Sequence, residues 1–241
     1  MMIRTKGVVL KALKYKESSL ILDIFTEDLG LHSFLINGVF KKGDQRLAAI
    51  LSVGNIIDLI AYFSEQKNLH RLKEVNYAYV YNDLYFNLIK SAISTFILEI
   101  CRKTIKDHHP NPELFQFIQR CLIILDKQEI VDSDFHLKFL IRLTKILGFQ
   151  PENNFSDLNN AFDLENGQFC SYLIQSPYHL EPVLSQYMHL LLSETDAQQT
   201  LPIKLNNLHR RKLLDGILLY YRIHIDNFGL LNSPDIFKSI L

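Results

Sequence analysis

The sequence predicts an α+β fold: a five-stranded barrel over residues 1–80, then a mostly α-helical domain over residues 81–241 with a small β-hairpin insert at about 150–182. Three observations lead there. Up to Tyr81 the apolar residues fall in short runs rich in branched and aromatic side chains, divided by Gly, Asn, Ser or charged clusters. Beyond it the apolar period lengthens from two to about 3.6 residues. Inside the helical part, Asn166 and Gly167 stand between two short apolar segments, the strongest short-range hairpin signal.

The five strands are "IRTKGVVLKALKY", "LILDIFTE", "LHSFLING", "NIIDLIAYF" and "LHRLKEVNYAYV". In "NIIDLIAYF" both parities carry apolar side chains, which suits a small closed barrel covered on one side better than an open sheet. Gly7 predicts a bulge or sharp bend in the first strand. Five strands with a longer excursion after the third match an OB-type barrel. Downstream, Phe86, Ile89, Ile93, Phe96 or Ile97, and Ile100 form one helical stripe. A second helix opens with Asn111 as N-cap and Pro112 at its first position. A third runs from a Ser/Asp cap through Phe135, Phe139, Leu143 and Ile146 to Gly148, with Pro151 beyond. Two more helices are expected at 183–194 and 207–224, completing a bundle.

With 241 residues and 48% hydrophobic content, the chain can bury a substantial core. It has no apolar run long enough for a membrane span and no signal-peptide pattern, so a soluble, cytoplasmic location is expected. Cys101, Cys121 and Cys170 are too few and too widely spaced for a disulfide framework or a CxxC metal site, and read as reduced thiols. Net charge is zero, but residues 1–79 hold 11 Lys/Arg against 8 Asp/Glu, and no Lys or Arg occurs from 146 to 203. The electrostatic footprint therefore lies in the N-terminal part.

No dinucleotide fingerprint, P-loop, nucleophile elbow or HExxH is present, and an enzyme is not expected. His108 and His109 precede Pro110 in a polar stretch and read as a solvated inter-helix loop rather than a metal site. Asp23, Glu27 and Asp28 read as an exposed strand face. The basic residues are the better candidates. Arg4, Lys6, Lys14 and Lys16 share strand parity, which would put them on one side unless a bulge intervenes, and Lys11 lies among them. Lys41, Lys42 and Arg46 follow in the connection "NGVFKKGDQR", where Gly38 and Gly43 would let the backbone bend. Either these cations only keep an edge and a loop soluble, or they line the kind of groove with which OB barrels track nucleic acid, using aromatics as stacking platforms. Tyr15 and Phe40 adjoin the cations; Phe34, Tyr62 and Phe63 are assigned to the core.

These segments also carry a family resemblance. "GVVLKALKYKESSLILDIFTEDLGLHSFLINGVFKK" resembles the start of the bacterial recombination mediator family RecO, with its Gly-initiated strand, Glu-Ser pair, Phe-Thr-Glu segment and basic loop. "LGFQP" at 147–151 is similar to the end of that family's central helix, and "YYRIHIDNFGLLNS" to its C-terminal segment. The resemblance implies a non-enzymatic DNA repair and recombination protein. Such a protein binds single- and double-stranded DNA, anneals complementary strands, and helps load RecA onto DNA coated by single-strand-binding protein, together with RecR and in some cases RecF. It implies no consumed cofactor. Many members carry a four-cysteine zinc module after the central helix, whereas "ENNFSDLNNAFDLENGQFCSYL" retains only Cys170, so no zinc is expected and the hairpin should be held by apolar packing. By resemblance, Lys138, with Arg142 one turn on, falls where a cation would receive the acidic tail of single-strand-binding protein; a solvated cation on an amphipathic helix is the plainer reading. "HRRK" at 209–212 is open between a solvated helix start and a further DNA contact. The alternative function, from another class, is an interaction adaptor whose OB barrel binds proteins only.

Overall fold

The computed structural model describes residues 1–40, 45–106, 108–172, 177–193 and 205–233. By compactness the chain divides into two units, Met1–Val131 and Asp132–Leu241.

The first unit begins with β1 (Met2–Tyr15), β2 (Ser19–Thr26), β3 (Gly30–Ile36), a short α1 (Arg46–Ile50), β4 (Ile56–Tyr62) and β5 (Leu69–Tyr77). They close into a barrel in the order β1-β2-β3-β5-β4, with β3 and β5 parallel and the other pairs antiparallel. Closure depends on β1 serving two neighbours: Met2–Val8 pair with β4, and the strand from Gly7 to Tyr15 pairs with β2. Gly7 belongs to both ladders. A Cβ there would lie 2.4 Å from Ile24 Cγ2 and 3.3 Å from Leu59 Cδ2, so glycine is needed for close approach. The bulge expected at Gly7 instead falls between Val9 and Lys11.

That displacement changes which way the cations point. Ile3 and Val9 face the barrel core before the bulge, and Ala12 faces it afterwards. Arg4, Lys6 and Lys11 therefore share the outer face, while Lys14 takes the inward parity beyond the end of the core. The four cations expected on one side are split. The outer face of β1 also bears Val8 and Leu10, fully buried because α2 (Leu88–Thr104) and α3 (Pro112–Lys127) pack over it. Phe25 meets Phe115 there at 6.2 Å between ring centroids. This cover explains the apolar residues on both parities of the barrel strands.

Asn87 caps α2 by accepting from the amides of Ile89 and Lys90. Phe86, expected in the helical stripe, precedes the cap and is 87% exposed. Asn111 and Pro112 start α3 as expected. From its last turn, buried Asp126 accepts hydrogen bonds from Tyr79 Oη and the amides of Asn82, Asp83 and Leu84. Lys90 Nζ, also buried, donates to the Asp126 carbonyl at 2.8 Å and pairs with Asp83 at 2.9 Å. Burial alone would raise the Asp126 pKa, but the three amides and the tyrosine outweigh it and hold the carboxyl below its usual range. One carboxylate thus fixes the segment leading from barrel to helices.

His108 does not sit in a loop facing only water. Its Nδ1 donates to the Leu31 carbonyl and its ring stacks on His32 at 5.0 Å. His32 Nε2 lies 3.0 Å from the Leu29 carbonyl, and buried His70 Nε2 lies 3.3 Å from His32 Nδ1, with Phe63 stacked on His70. Because a carbonyl can only accept, His32 carries a proton on Nε2; with His32 neutral, its Nδ1 accepts from His70 Nε2. Desolvation lowers the pKa of both, with repulsion from His108 adding to it at His32 and repulsion from His32 and His108 adding to it at His70.

The second unit contains α4 (Phe135–Ile146), the hairpin β6 (Ala161–Asp163) and β7 (Gln168–Cys170), α5 (Pro182–Ser193) and α6 (Asn207–His224). Asp134 stands at the N-cap of α4 but makes no cap bond, because its carboxylate takes Arg210 Nε at 2.7 Å. Arg210 also donates to Asn207, Ser133 and the Leu205 carbonyl. In "HRRK", then, Arg210 is a buried structural pin and Lys212 pairs with Glu181. Phe162 and Phe169, both buried, pack with each other and with Phe155 and Tyr220, so aromatic contacts hold the hairpin. Gly167, left-handed at φ +65°, closes the turn by donating to the Asp163 carbonyl. Tyr220 and Tyr221 donate to the carbonyls of Phe149 and Leu140, tying "LGFQP" to α6. Among the described residues no helix is long and apolar enough to cross a membrane.

Candidate nucleic-acid interface

One end of the barrel brings cations and exposed aromatics together. The β1–β2 turn, the segment after β3, α1 and the facing ends of β4 and β5 all meet there. Ser19 Oγ bonds Asn37 Oδ1 at 2.8 Å and the Val39 amide bonds the Ser18 carbonyl, which seats residues 37–40 against the β1–β2 turn. Asn37 also lines a groove of about 500 Å³, together with Leu47 of α1, Tyr62 of β4, and Arg71 and Lys73 of β5. Turn and groove are therefore contiguous through Asn37.

Alternation in β5 explains the wall of this groove. His70 and Leu72 point inward and are buried, so Leu69, Arg71 and Lys73 point outward. Tyr62 pairs with Arg71 across the β4–β5 ladder. It is 52% exposed and does not belong to the core, contrary to expectation, because it ends β4 at the barrel mouth where no layer covers it. Phe34 is fully buried as expected, and Phe63 is half-buried in the histidine stack. Arg71 and Lys73 form no basic cluster in the sequence, because Leu72 separates them and Glu74 follows Lys73. The clean alternation of "LHRLKE" was the signal that would have found them.

Of the residues singled out in the sequence, Lys14, Tyr15, Lys16 and Phe40 lie at this end. Lys14 Nζ is 5.5 Å from the Phe40 centroid and Lys16 Nζ 5.4 Å from that of Tyr15, and both rings are more than two-fifths exposed. Such pairs hold the ammonium groups at the rim beside the rings, at about 0.5–1 kcal/mol each when exposed. Lys16 takes a left-handed backbone, φ +59°, in the turn. Arg46 is the exposed first residue of α1, beside Leu47. Lys41 and Lys42 lie outside the described residues, as does Gly43. Arg4 and Lys6 are on the outer wall, Lys6 opposite Asp58, and Lys11 is 3.8 Å from Asp23, whose other oxygen takes Ser33 Oγ. Lys73 is 3.3 Å from Glu74, an exposed pair worth little in water.

The second candidate site looks different. Lys138 is only 6% exposed and its ammonium lies 3.0 Å from Asp132, so it is not a solvated cation. Arg142 is half-buried. Cys101 and Cys121 are buried, and burial pushes the Cys101 thiol up, away from reactivity.

Comparison with known proteins agrees with this architecture. Residues 1–81 match the family "Recombination protein O N terminal" and residues 85–233 match "Recombination protein O C terminal". The DNA repair protein RecO of Flavobacterium psychrophilum is 31% identical over 249 aligned residues, covering all of this chain and 99% of that protein. The DNA repair proteins RecO of Christiangramia forsetii and Bacteroides fragilis are 31% and 28% identical, with the same coverage. With both halves matched in order and relatives aligned end to end, the chain belongs to the RecO family of DNA repair proteins.

Proposed function

We propose that this chain acts without catalysis as a recombination mediator. It binds single- and double-stranded DNA at the barrel end, anneals complementary strands, and helps load a RecA recombinase onto DNA coated with single-strand-binding protein, in concert with a RecR ring. The observation that carries the reading is the barrel end itself. Lys14, Lys16, Arg71 and Lys73 surround three exposed aromatics, Tyr15, Phe40 and Tyr62, on adjoining loops and strand ends. Cations spaced along a rim neutralise phosphates and release counterions, and exposed rings offer faces to unstacked bases. A strand held this way keeps its base edges available for pairing, which is what annealing requires.

Fluorescence-anisotropy titration with a labelled single strand tests the binding. Saturable binding that weakens steeply with salt is expected, and Tyr62→Ala should cost about 1–3 kcal/mol if the ring stacks on a base. Absence of saturable binding at moderate salt would favour a protein-only adaptor. Annealing of complementary strands coated with the cognate single-strand-binding protein tests the mediator step. The acidic tail of that protein remains part of the proposal, with Lys138 and Arg142 as its residues; the Asp132 pair would have to open for Lys138 to receive a carboxylate.

A further inference from the structure

Three metal-binding atoms meet on one face of the hairpin in the second unit. On one edge of β6, Ala161 faces Cys170 and Asp163 faces Gln168; on the other edge, Asp163 bridges His179. Side chains alternate across a strand, so Asp163 shares its face with Ala161, and hence with Cys170 and His179. The opposite face carries Phe162 and Phe169, which are buried in the aromatic core. Three backbone passes thereby present an imidazole, a thiol and a carboxylate side by side.

Their spacing is that of ligands around one ion. His179 Nε2 is 3.4 Å from Cys170 Sγ and 3.6 Å from Asp163 Oδ2, and the three atoms all lie within 4.8 Å of one another. Tetrahedral zinc, with bonds of about 2.3 Å to sulfur and about 2.0–2.2 Å to nitrogen and oxygen, puts neighbouring S and N ligands roughly 3.5 Å apart and N and O ligands roughly 3.4 Å apart. We propose that Asp163, Cys170 and His179 form a Zn²⁺ site with three protein ligands and a fourth position open to water or another donor. It is not the four-thiol module implied by resemblance: a single cysteine contributes, and the carboxylate and imidazole arrive by strand pairing. Counting thiols alone could not reveal it.

The surroundings suit the assignment. Asp163 Oδ1 accepts from the amides of Glu165 and Asn166, and Oδ2 takes Asn166 Nδ2 at 2.7 Å, so the carboxylate is oriented before a metal arrives. A borderline-soft ion matches a mixed S, N, O donor set. On binding, Cys170 loses the thiol proton it now directs at the Ala161 carbonyl, 3.5 Å away, and His179 binds through Nε2 with its proton on Nδ1.

The test uses the full chain, stripped with a chelator and then titrated with Zn²⁺ against a chromophoric competitor, with Co²⁺ as the spectroscopic probe. The proposal expects about one zinc per chain, a thiolate-to-cobalt charge-transfer band, and a melting temperature raised by Zn²⁺. Cys170→Ser should lose the band, and His179→Gln should weaken binding by about tenfold or more. If Cys170→Ser does not fold, loss of affinity in His179→Gln with the band retained supports the site. A stoichiometry far below one, or equal zinc binding by wild type and both variants, would overturn it and leave His179 as a hydrogen-bond donor to its two neighbours.

Discussion

Replacing Lys14, Lys16, Arg71 and Lys73 together by alanine removes four cations from the barrel mouth without touching its core. All four are exposed, so fold stability should change by only a few tenths of a kcal/mol per site. If each neutralises one phosphate of a single strand, the logarithmic salt slope of binding falls by about 0.7 per contact, or roughly 2.8 in all. Without the share of Lys73, which already faces Glu74 at 3.3 Å, the drop is roughly 2.1. Across a fourfold rise in salt, 2.8 units corresponds to roughly a 50-fold difference in how steeply affinity is lost. Anisotropy titrations at four or five salt concentrations measure the slope directly. Arg4→Ala with Lys6→Ala is the matched control, because both residues lie on the outer wall of β1. An unchanged slope in the fourfold variant would refute the interface. A drop of roughly 1.4 in the wall variant, the full value for its two cations, would refute its placement at the mouth.

Asp126→Ala strands the buried Leu84 amide, the part-buried amides of Asn82 and Asp83, and the Tyr79 hydroxyl, and should cost about 3–5 kcal/mol in urea unfolding; a cost under about 1 kcal/mol would show that water replaces the carboxylate. Arg210→Met leaves Asp134 without its 2.7 Å partner and should destabilise by about 3–5 kcal/mol, with Asp134→Asn recovering part of the loss in the double variant. Stability should also fall on mild acidification. His32, His70 and His136, the last buried on α4, have folded pKa values below 6.5, that of His136 down to about 3, chiefly through desolvation. Above pH 6.5 neither state binds these protons. Below it the unfolded chain takes them up first, costing at most about 1.4 kcal/mol per pH unit per histidine until the folded pKa is reached. Urea midpoints measured from pH 7.5 to 5 should drop, less so in His70→Phe; a flat profile would contradict the neutral stack.

The strands were legible because their signals are local: alternation, branched residues and punctuation by Gly and Asn place each of the five within two or three residues of its observed limits. The helix starts at Asn111 and the stop at Gly148 were legible for the same reason. The bulge was not, because its position is set by where β1 passes from β4 to β2, and that handover joins residues some 50 positions apart. Gly7 marks the neighbouring crossing point by its lack of a side chain, so a real signal was read for the wrong consequence.

The site was legible only in outline, and the charged residues show why. Lys14, Lys90 and Lys138 each read as a cation beside apolar residues, and Arg210 as one of the cations of "HRRK". What separates them is whether the fold supplies an acid. Lys90 finds Asp83 and the Asp126 carbonyl, Arg210 finds Asp134 from 76 residues away, and Lys138 finds Asp132 just before its own helix. Among the described residues, Lys14 finds only an aromatic ring at the barrel mouth. A charge without a carboxylate partner retains its counterions in solution and can exchange them for phosphate, whereas a buried ion pair has none to release. The structure therefore sorts the basic residues by a physical criterion rather than by clustering. On the proposed reading the interface is the barrel end, where Arg71, Lys73 and Tyr62 adjoin Lys14, Tyr15, Lys16 and Phe40, rather than the outer wall of β1 that bears Arg4 and Lys6.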